Sequence, residues 1–283
     1  MKFMLTPPLG AALFALFASG CSATPADPDE PGRLGVAQQA LSFGTTVGTF
    51  NGVDAYSNGS IHHVSGIHGC CGLEWQCVEY VNRFYNVALG HENLSGTGNA
   101  DAYFGTASQK GLVAFPNGGQ TGPAVGDMIV SNGGSNGHIA IVREVGPSHV
   151  TVIQQNWSND TSDNAKTLSL THAGGGYTVE GFNATYPVKG WMREPVRACA
   201  SVSSVSPSSA TRGVKTLFTI TGTCLPSSVA PFIEECVDPR VESIGPTQAT
   251  FSCTPSYTSG SKQGVIKTQA GGTPLTTFAL DVN

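Results

Sequence analysis

In this chain one stretch, GLEWQCVEYVNRFY at residues 72–85, carries a helical period, and nearly every apolar run after it reads as strand. Cys77, Val78, Val81, Phe84, Tyr85 and Ala88 recur at the offsets that line one side of a helix. A second short helix is expected over DAYFGTASQK, residues 101–110. GDMIV, HIAIVREV, HVTVIQQNW and KGWMREP follow, each a short run bounded by Gly, Pro, Asn or Ser, as strands are. A helical block ahead of a run of strands points to an α+β domain over residues 46–197, with a helix carrying Cys77 packed on an antiparallel sheet.

The composition changes after Arg197. SVSSVSPSSATRG is a Ser-rich join, and beyond it apolar residues alternate: Phe218, Ile220 and Cys224 share one face, as do Ala249, Phe251 and Cys253. Short alternating runs with no helical period predict a small all-β, immunoglobulin-like sandwich over residues 198–283. The stretch VSSVSPSSATRGVKTLFTITGT resembles the first strands of immunoglobulin-like, plexin and transcription factor (IPT/TIG) domains.

At the N-terminus, MKFMLTPPLGAALFALFASGC sets one basic residue before an apolar run, Leu9 to Ala18, too short to cross a bilayer. It reads as an export signal over residues 1–20. Ala18, Ser19, Gly20 and Cys21 resemble the lipobox of bacterial lipoproteins, which implies a lipidated Cys21. Ser22 beside it then favours the outer membrane; without lipidation the chain is periplasmic, on the cell surface or secreted. Residues 21–45, rich in Pro, Ala and Asp, bury too little to order themselves and read as a flexible linker, with a reach of about 25 Å. A formal net charge of −5 without a basic run argues against nucleic acid or an anionic membrane face as a partner, so a membrane enters only through the lipid anchor.

Export into an oxidising compartment decides what the remaining seven cysteines can do. Cys199, Cys224, Cys236 and Cys253 lie on or beside strands, and the expected pairs are Cys236–Cys253 and Cys199–Cys224, one of three connectivities. Cys70, Cys71 and Cys77 leave three readings open. Cys70 and Cys71 form a disulfide while Cys77 is a buried packing residue. Alternatively His62, His63, His68, Cys70 and Cys71 hold zinc, although HHx4HxCC fits no familiar structural zinc pattern. In the third, Cys77 is a nucleophile.

Two local features support the third reading. Cys77 sits at a helix start, where unpaired N–H groups and the dipole favour a thiolate and lower its pKa. Gln76 precedes it with a side-chain amide placed to help an oxyanion. A partner comes from GGSNGHIAIVREVGPSHVTVIQQNW, read as a hairpin turning at Gly146-Pro147-Ser148. Val145 then pairs with His149, and His138 stands opposite Asn156. An amide beside an imidazole holds one ring nitrogen while the other exchanges a proton with a thiol. A two- or four-residue loop would put the two side chains on opposite faces.

In order along the chain, WQCVEYVNRF, PAVGDMIV, GHIAIV, VIQQNW and KGWMREP resemble the CHAP domain (cysteine, histidine-dependent amidohydrolase/peptidase), a papain-like fold of the NlpC/P60 superfamily. The resemblance implies Cys77 as nucleophile, His138 as general base and acid, and Asn156 as the residue orienting His138, with Gln154 as helper where relatives often carry glutamate. It implies thioester acyl transfer without a metal or other cofactor, and peptidoglycan or a peptide as substrate. WQCVEY also resembles glutathionylspermidine-type amidases, whose substrate is cytosolic. Outside enzymes, the alternative is a surface adhesion protein with an inactive CHAP fold, whose β domain binds a partner that no motif names. A disulfide from Cys77 to Cys70 or Cys71 would switch an enzyme off.

Overall fold

A computed structural model describes residues 41–60, 63–91, 94, 98–157, 164–270 and 272–283; the export segment, Cys21, the linker as far as residue 40, and His62 lie outside them. β1 (Thr46–Phe50) and β2 (Val53–Tyr56) form a hairpin whose two turn residues, Asn51 and Gly52, have φ of 51° and 78°. Asn-Gly tolerates these left-handed conformations, which match the twist of the flanking strands. α1 (Cys77–Leu89) follows and stops at Gly90, whose φ of 64° lets its N–H bond back to the Tyr85 carbonyl. The single helix expected over residues 101–110 is broken: α2 (Ala100–Tyr103) gives way to a 3₁₀ stretch, Phe104–Lys110. Gly105, Thr106 and Ser108 are weak helix formers, and no long apolar stripe compensates them.

β3 (Val113–Pro116), β4 (Met128–Ser131), β5 (His138–Val145), β6 (His149–Ile153), β7 (Ala165–Ala173), β8 (Gly176–Val179) and β9 (Val188–Arg193) make one sheet in the order β3-β9-β4-β5-β6-β7-β8, antiparallel throughout. Its centre is buried on both faces. Met128, Val130, Ile139, Ile141 and Ile153 meet Val81, Phe84 and Tyr85 of α1, while Ile129, Ala140, Val142, Val150 and Val152 pack with Leu168, Phe182 and Trp191 behind. Burial on both faces is why β4 and β5 read as unbroken apolar runs.

β10 (Ser201–Ser206), β11 (Ser209–Ala210), β12 (Thr216–Thr223), β13 (Ala230–Ile233), β14 (Cys236–Ser243), β15 (Gln248–Pro255), β16 (Gly260–Lys267) and β17 (Pro274–Val282) form two four-stranded sheets, β10-β12-β15-β14 and β11-β17-β16-β13. Phe218 and Phe251 are register neighbours, and their rings stack 4.9 Å apart in the core of this sandwich. Disulfides join Cys199 to Cys224 and Cys236 to Cys253. Loops of 25 and 17 residues make each worth about 3 kcal/mol through the unfolded chain.

Strand makes up 45% of the structure and helix 11%. The expected α+β, papain-like fold led by a cysteine helix is therefore corrected to a mainly β chain with several sheets. Two α-helices are present among the described residues, and a hairpin precedes the one that starts at Cys77. β3, β7 and β8 escaped the sequence reading. β7 (AKTLSLTHA) buries only Leu168 and Leu170, and β3 and β8 have four residues each, too few to show a period.

The two sheet systems keep separate cores but pack together inside one compact unit. Ile244, just after β14, is 3% exposed and packs among the residues beneath α1. Asn51 brackets its backbone, donating to the Ile244 carbonyl and accepting from the Ile244 N–H at 3.1 Å. A side chain at Gly126 (φ 89°) would collide with Ile244. Arg240 of β14 reaches Glu144 of β5 at 3.1 Å. The sandwich is thus packed against the first sheet rather than strung from it.

Candidate active site

Cys77, the one unpaired cysteine among the described residues, is the first residue of α1. Gln76 before it is extended (φ −78°, ψ 159°), and no side chain caps the helix. The backbone amides of Ile139, Val78 and Cys77 itself lie near enough to the sulfur to favour its charged form. Ile139 follows His138, so the start of β5 lies against the thiol.

A buried polar knot holds this end of the helix. Glu79, 2% exposed, takes Arg83 on both oxygens (2.6 and 3.2 Å) and Gln155 Nε2 at 3.1 Å. Gln155 also donates to the Gln76 carbonyl at 3.1 Å, and Arg83 to the Asp54 carbonyl at 2.7 Å. β2, the first turn of α1 and the exit of β6 are thereby tied together. The Glu79–Arg83 pair has the i,i+4 spacing of helical ion pairs and was open to detection in the sequence. Gln155 had no such signal.

His138 opens β5, 2% exposed, with ring centroids of Trp157 and Phe182 4.7 and 5.0 Å away. Its Nε2 lies 2.8 Å from Gln154 Oε1. An amide oxygen only accepts, so Nε2 bears the hydrogen and Nδ1 keeps a lone pair. The amide on the imidazole is therefore Gln154, and the expected His138–Asn156 pairing is corrected.

The hairpin register explains the exchange. The pair nearest the turn is Val145 with Val150, not Val145 with His149, so the loop has four residues. A bulge between Val142 and Glu144 absorbs the extra residue, and Val142–Val152 and Ile141–Ile153 fall back into the expected register. β6 then ends at Ile153, and Asn156 takes φ 52°, turning the chain away before it comes level with His138. Asn156 donates instead to Gln76 Oε1 at 2.7 Å and accepts from Asn58 Nδ2 at 3.0 Å.

Burial pushes the Cys77 thiol up to about 11, against the three backbone donors, and pushes His138 down to about 4, against the Gln154 bond. Cys77 as a whole is half-buried, and the groups packed around its sulfur set its acidity. The expectation of a lowered thiol pKa is thus corrected. A helix N-terminus contributes about 1 kcal/mol, less than the loss of water around a thiolate. Near neutrality both groups are uncharged. Iodoacetamide alkylation of Cys77 is accordingly expected to keep rising with pH toward about 11; a rate that levels off below the ordinary thiol value of about 8.5 would instead mean a resting ion pair.

Cys77 lies where two hollows meet. One, of about 350 Å³, is lined by Val64, His68, Leu73, Val78 and Asn99 among others; the second, of about 470 Å³, holds His138, Asn156, Trp157, Asn183 and Tyr186. Gln76, Cys77 and Asn136 border both. Cys70 and Cys71 are bonded to each other beside the first hollow, so neither is joined to Cys77 or offers a thiolate to zinc. Among the described residues no three His, Cys, Asp or Glu side chains cluster closely enough to hold a metal ion.

The CHAP domain family matches residues 68–156. The matched segment runs from the Cys70–Cys71 pair through α1 and β5 to Asn156, and takes in Cys77, His138 and Gln154. It spans less than half of the chain and does not reach β7–β9 or the C-terminal sandwich. No curated protein matches the chain. The CHAP match points to a hydrolase of the amidase or peptidase type in general, with peptidoglycan or a peptide as substrate.

Proposed function

We propose that this protein is an exported cysteine hydrolase that cuts amide bonds of peptidoglycan through a thioester intermediate. One observation carries the reading. An unpaired thiol at a helix N-terminus shares a cleft with a histidine whose Nε2 is held by an amide oxygen, which leaves Nδ1 as the base. The CHAP match across the same residues supplies the reaction class.

In this mechanism His138 Nδ1 takes the thiol proton as Cys77 Sγ attacks the amide carbonyl. The two neutral groups become an ion pair only on the way to the transition state. Gln154 orients the ring but carries no charge to offset an imidazolium, so separating charge earlier is disfavoured. The tetrahedral oxyanion is held by the Cys77 backbone N–H and the Gln76 side-chain amide. His138 then passes its proton to the leaving amine, and water, activated by the same imidazole, hydrolyses the thioester.

In the same reading residues 1–20 are removed on export, Cys21 carries lipid, residues 21–45 form the linker, and the hydrolase domain runs from 46 to 197. The IPT/TIG resemblance of residues 198–283 is consistent with their two-sheet sandwich. Packed through Ile244 and Asn51, that sandwich orients the catalytic cleft rather than swinging freely. The test is digestion of purified peptidoglycan by the reduced mature chain, with released fragments read by mass spectrometry. New amino termini are expected and name the bond; intact polymer after prolonged incubation with folded protein would remove the proposal.

A further inference from the structure

We propose that Asn156 is a positioning residue for Gln76, and that its part in hydrolysis is to aim the Gln76 amide at the oxyanion rather than to orient His138. This rests on the hydrolase reading above and assigns a role that reading leaves open.

Asn156 is the middle of a chain of amides with fixed polarity. At one end Asn58 Oδ1 accepts from the Trp75 backbone N–H at 3.4 Å, while the two N–H groups of Asn58 Nδ2 are shared among the His63 carbonyl at 2.8 Å, Asn156 Oδ1 at 3.0 Å and the more distant Ser60 carbonyl at 3.3 Å. Asn156 Nδ2 then donates to Gln76 Oε1 at 2.7 Å, and Gln76 Nε2 donates to the His63 carbonyl at 2.8 Å. Backbone groups cannot exchange donor for acceptor, so anchoring at both ends settles which way each amide faces.

A primary amide has two N–H groups. The His63 carbonyl takes one from Gln76, Asn156 pins the opposite oxygen, and the amide plane cannot rotate. Among the described residues no other hydrogen bond reaches Gln76 Nε2, so its second N–H is left beside Cys77 at the junction of the two hollows. Without Asn156 the Gln76 oxygen is free to turn toward the cleft, where it would repel an oxyanion. Asn156 holds φ 52°, an uncommon conformation for which asparagine is better suited than most residues, and that places its side chain on Gln76.

Hydrolysis forms an oxyanion; alkylation by iodoacetamide, in which the sulfur displaces iodide, forms none. The mature chain and its Asn156→Ala, Gln76→Ala and double variants are compared in both reactions, with soluble peptidoglycan fragments as substrate. Asn156→Ala and Gln76→Ala should each lower kcat by about 10²-fold with KM nearly unchanged, since one oxyanion donor is worth about that much. The double variant should be no slower than Gln76→Ala, and all should be alkylated at the wild-type rate with the wild-type pH profile. Asn156→Asp keeps the size and the acceptor of Asn58 but cannot donate to Gln76, so it should reproduce the loss even if Asn156→Ala misfolds. Additive losses, full kcat in Asn156→Asp, or a shifted alkylation profile in the alanine variants would overturn the assignment. Wild-type protein that releases no fragments would overturn the hydrolase reading, and this inference with it.

Discussion

Cys77→Ala is expected to lower amide hydrolysis by about 10⁴-fold or more, to the level that binding and oxyanion contacts alone sustain. The substitution removes the sulfur and nothing that holds the site. α1 stays seated through Tyr80, Val81, Phe84 and Tyr85, all fully buried, and its first turn through Glu79, Arg83 and Gln155. Cys70 and Cys71 are already bonded to each other and supply no replacement thiol. Stability should therefore change by about 1 kcal/mol, since only one sulfur is lost from the edge of the core. Fragment release from peptidoglycan beside a thermal melt separates the two effects. Undiminished release by the variant would show that the thiol is not the nucleophile.

Asp127→Ala should have the largest effect on folding, about 3–5 kcal/mol. Asp127 and Arg193 are 0% and 3% exposed at their side chains and meet at 2.6 Å. Arg193 also donates to the Gly122 carbonyl at 2.7 Å and to Gln269 Oε1 at 3.0 Å, so one guanidinium ties the turn before β4 to β9 and to the C-terminal sandwich. Burial pushes the Asp127 carboxyl up to about 6 in spite of this partner, which means that water was worth more to it than the ion pair is. The pair therefore contributes little net stability, yet breaking it strands a buried cation. Urea denaturation should show the large loss in Asp127→Ala and recovery of most of it in Asp127→Ala/Arg193→Met, where no charge remains. A loss under about 1 kcal/mol in the single variant would mean that solvent reaches the pair.

The residues of the proposed site were legible because local patterns mark them. The apolar stripe from Cys77 to Ala88 places the thiol at a helix start, and the alternating run after His138 places the imidazole at a strand start. The hairpin pattern named Asn156 and the family resemblance named Gln154, so both amides were in view, although β6 ends at Ile153 before either. The balance of the fold was less legible. β3, β7 and β8 show too few buried side chains to register, and helix was overcounted where Gly105 and Thr106 interrupt it.

The sequence by itself determined which side chains are available and on which face of its element each one lies, since helical and strand periods are properties of the local backbone. Tertiary structure alone decided their partners. The bulge past Val142 and the left-handed turn at Asn156 gave His138 to Gln154 and Gln76 to Asn156, and these depend on how two strands meet and end. The raised thiol and lowered imidazole belong to the tertiary level as well, because both come from burial, and part of what buries His138 is Phe182, packed against its ring from far along the chain.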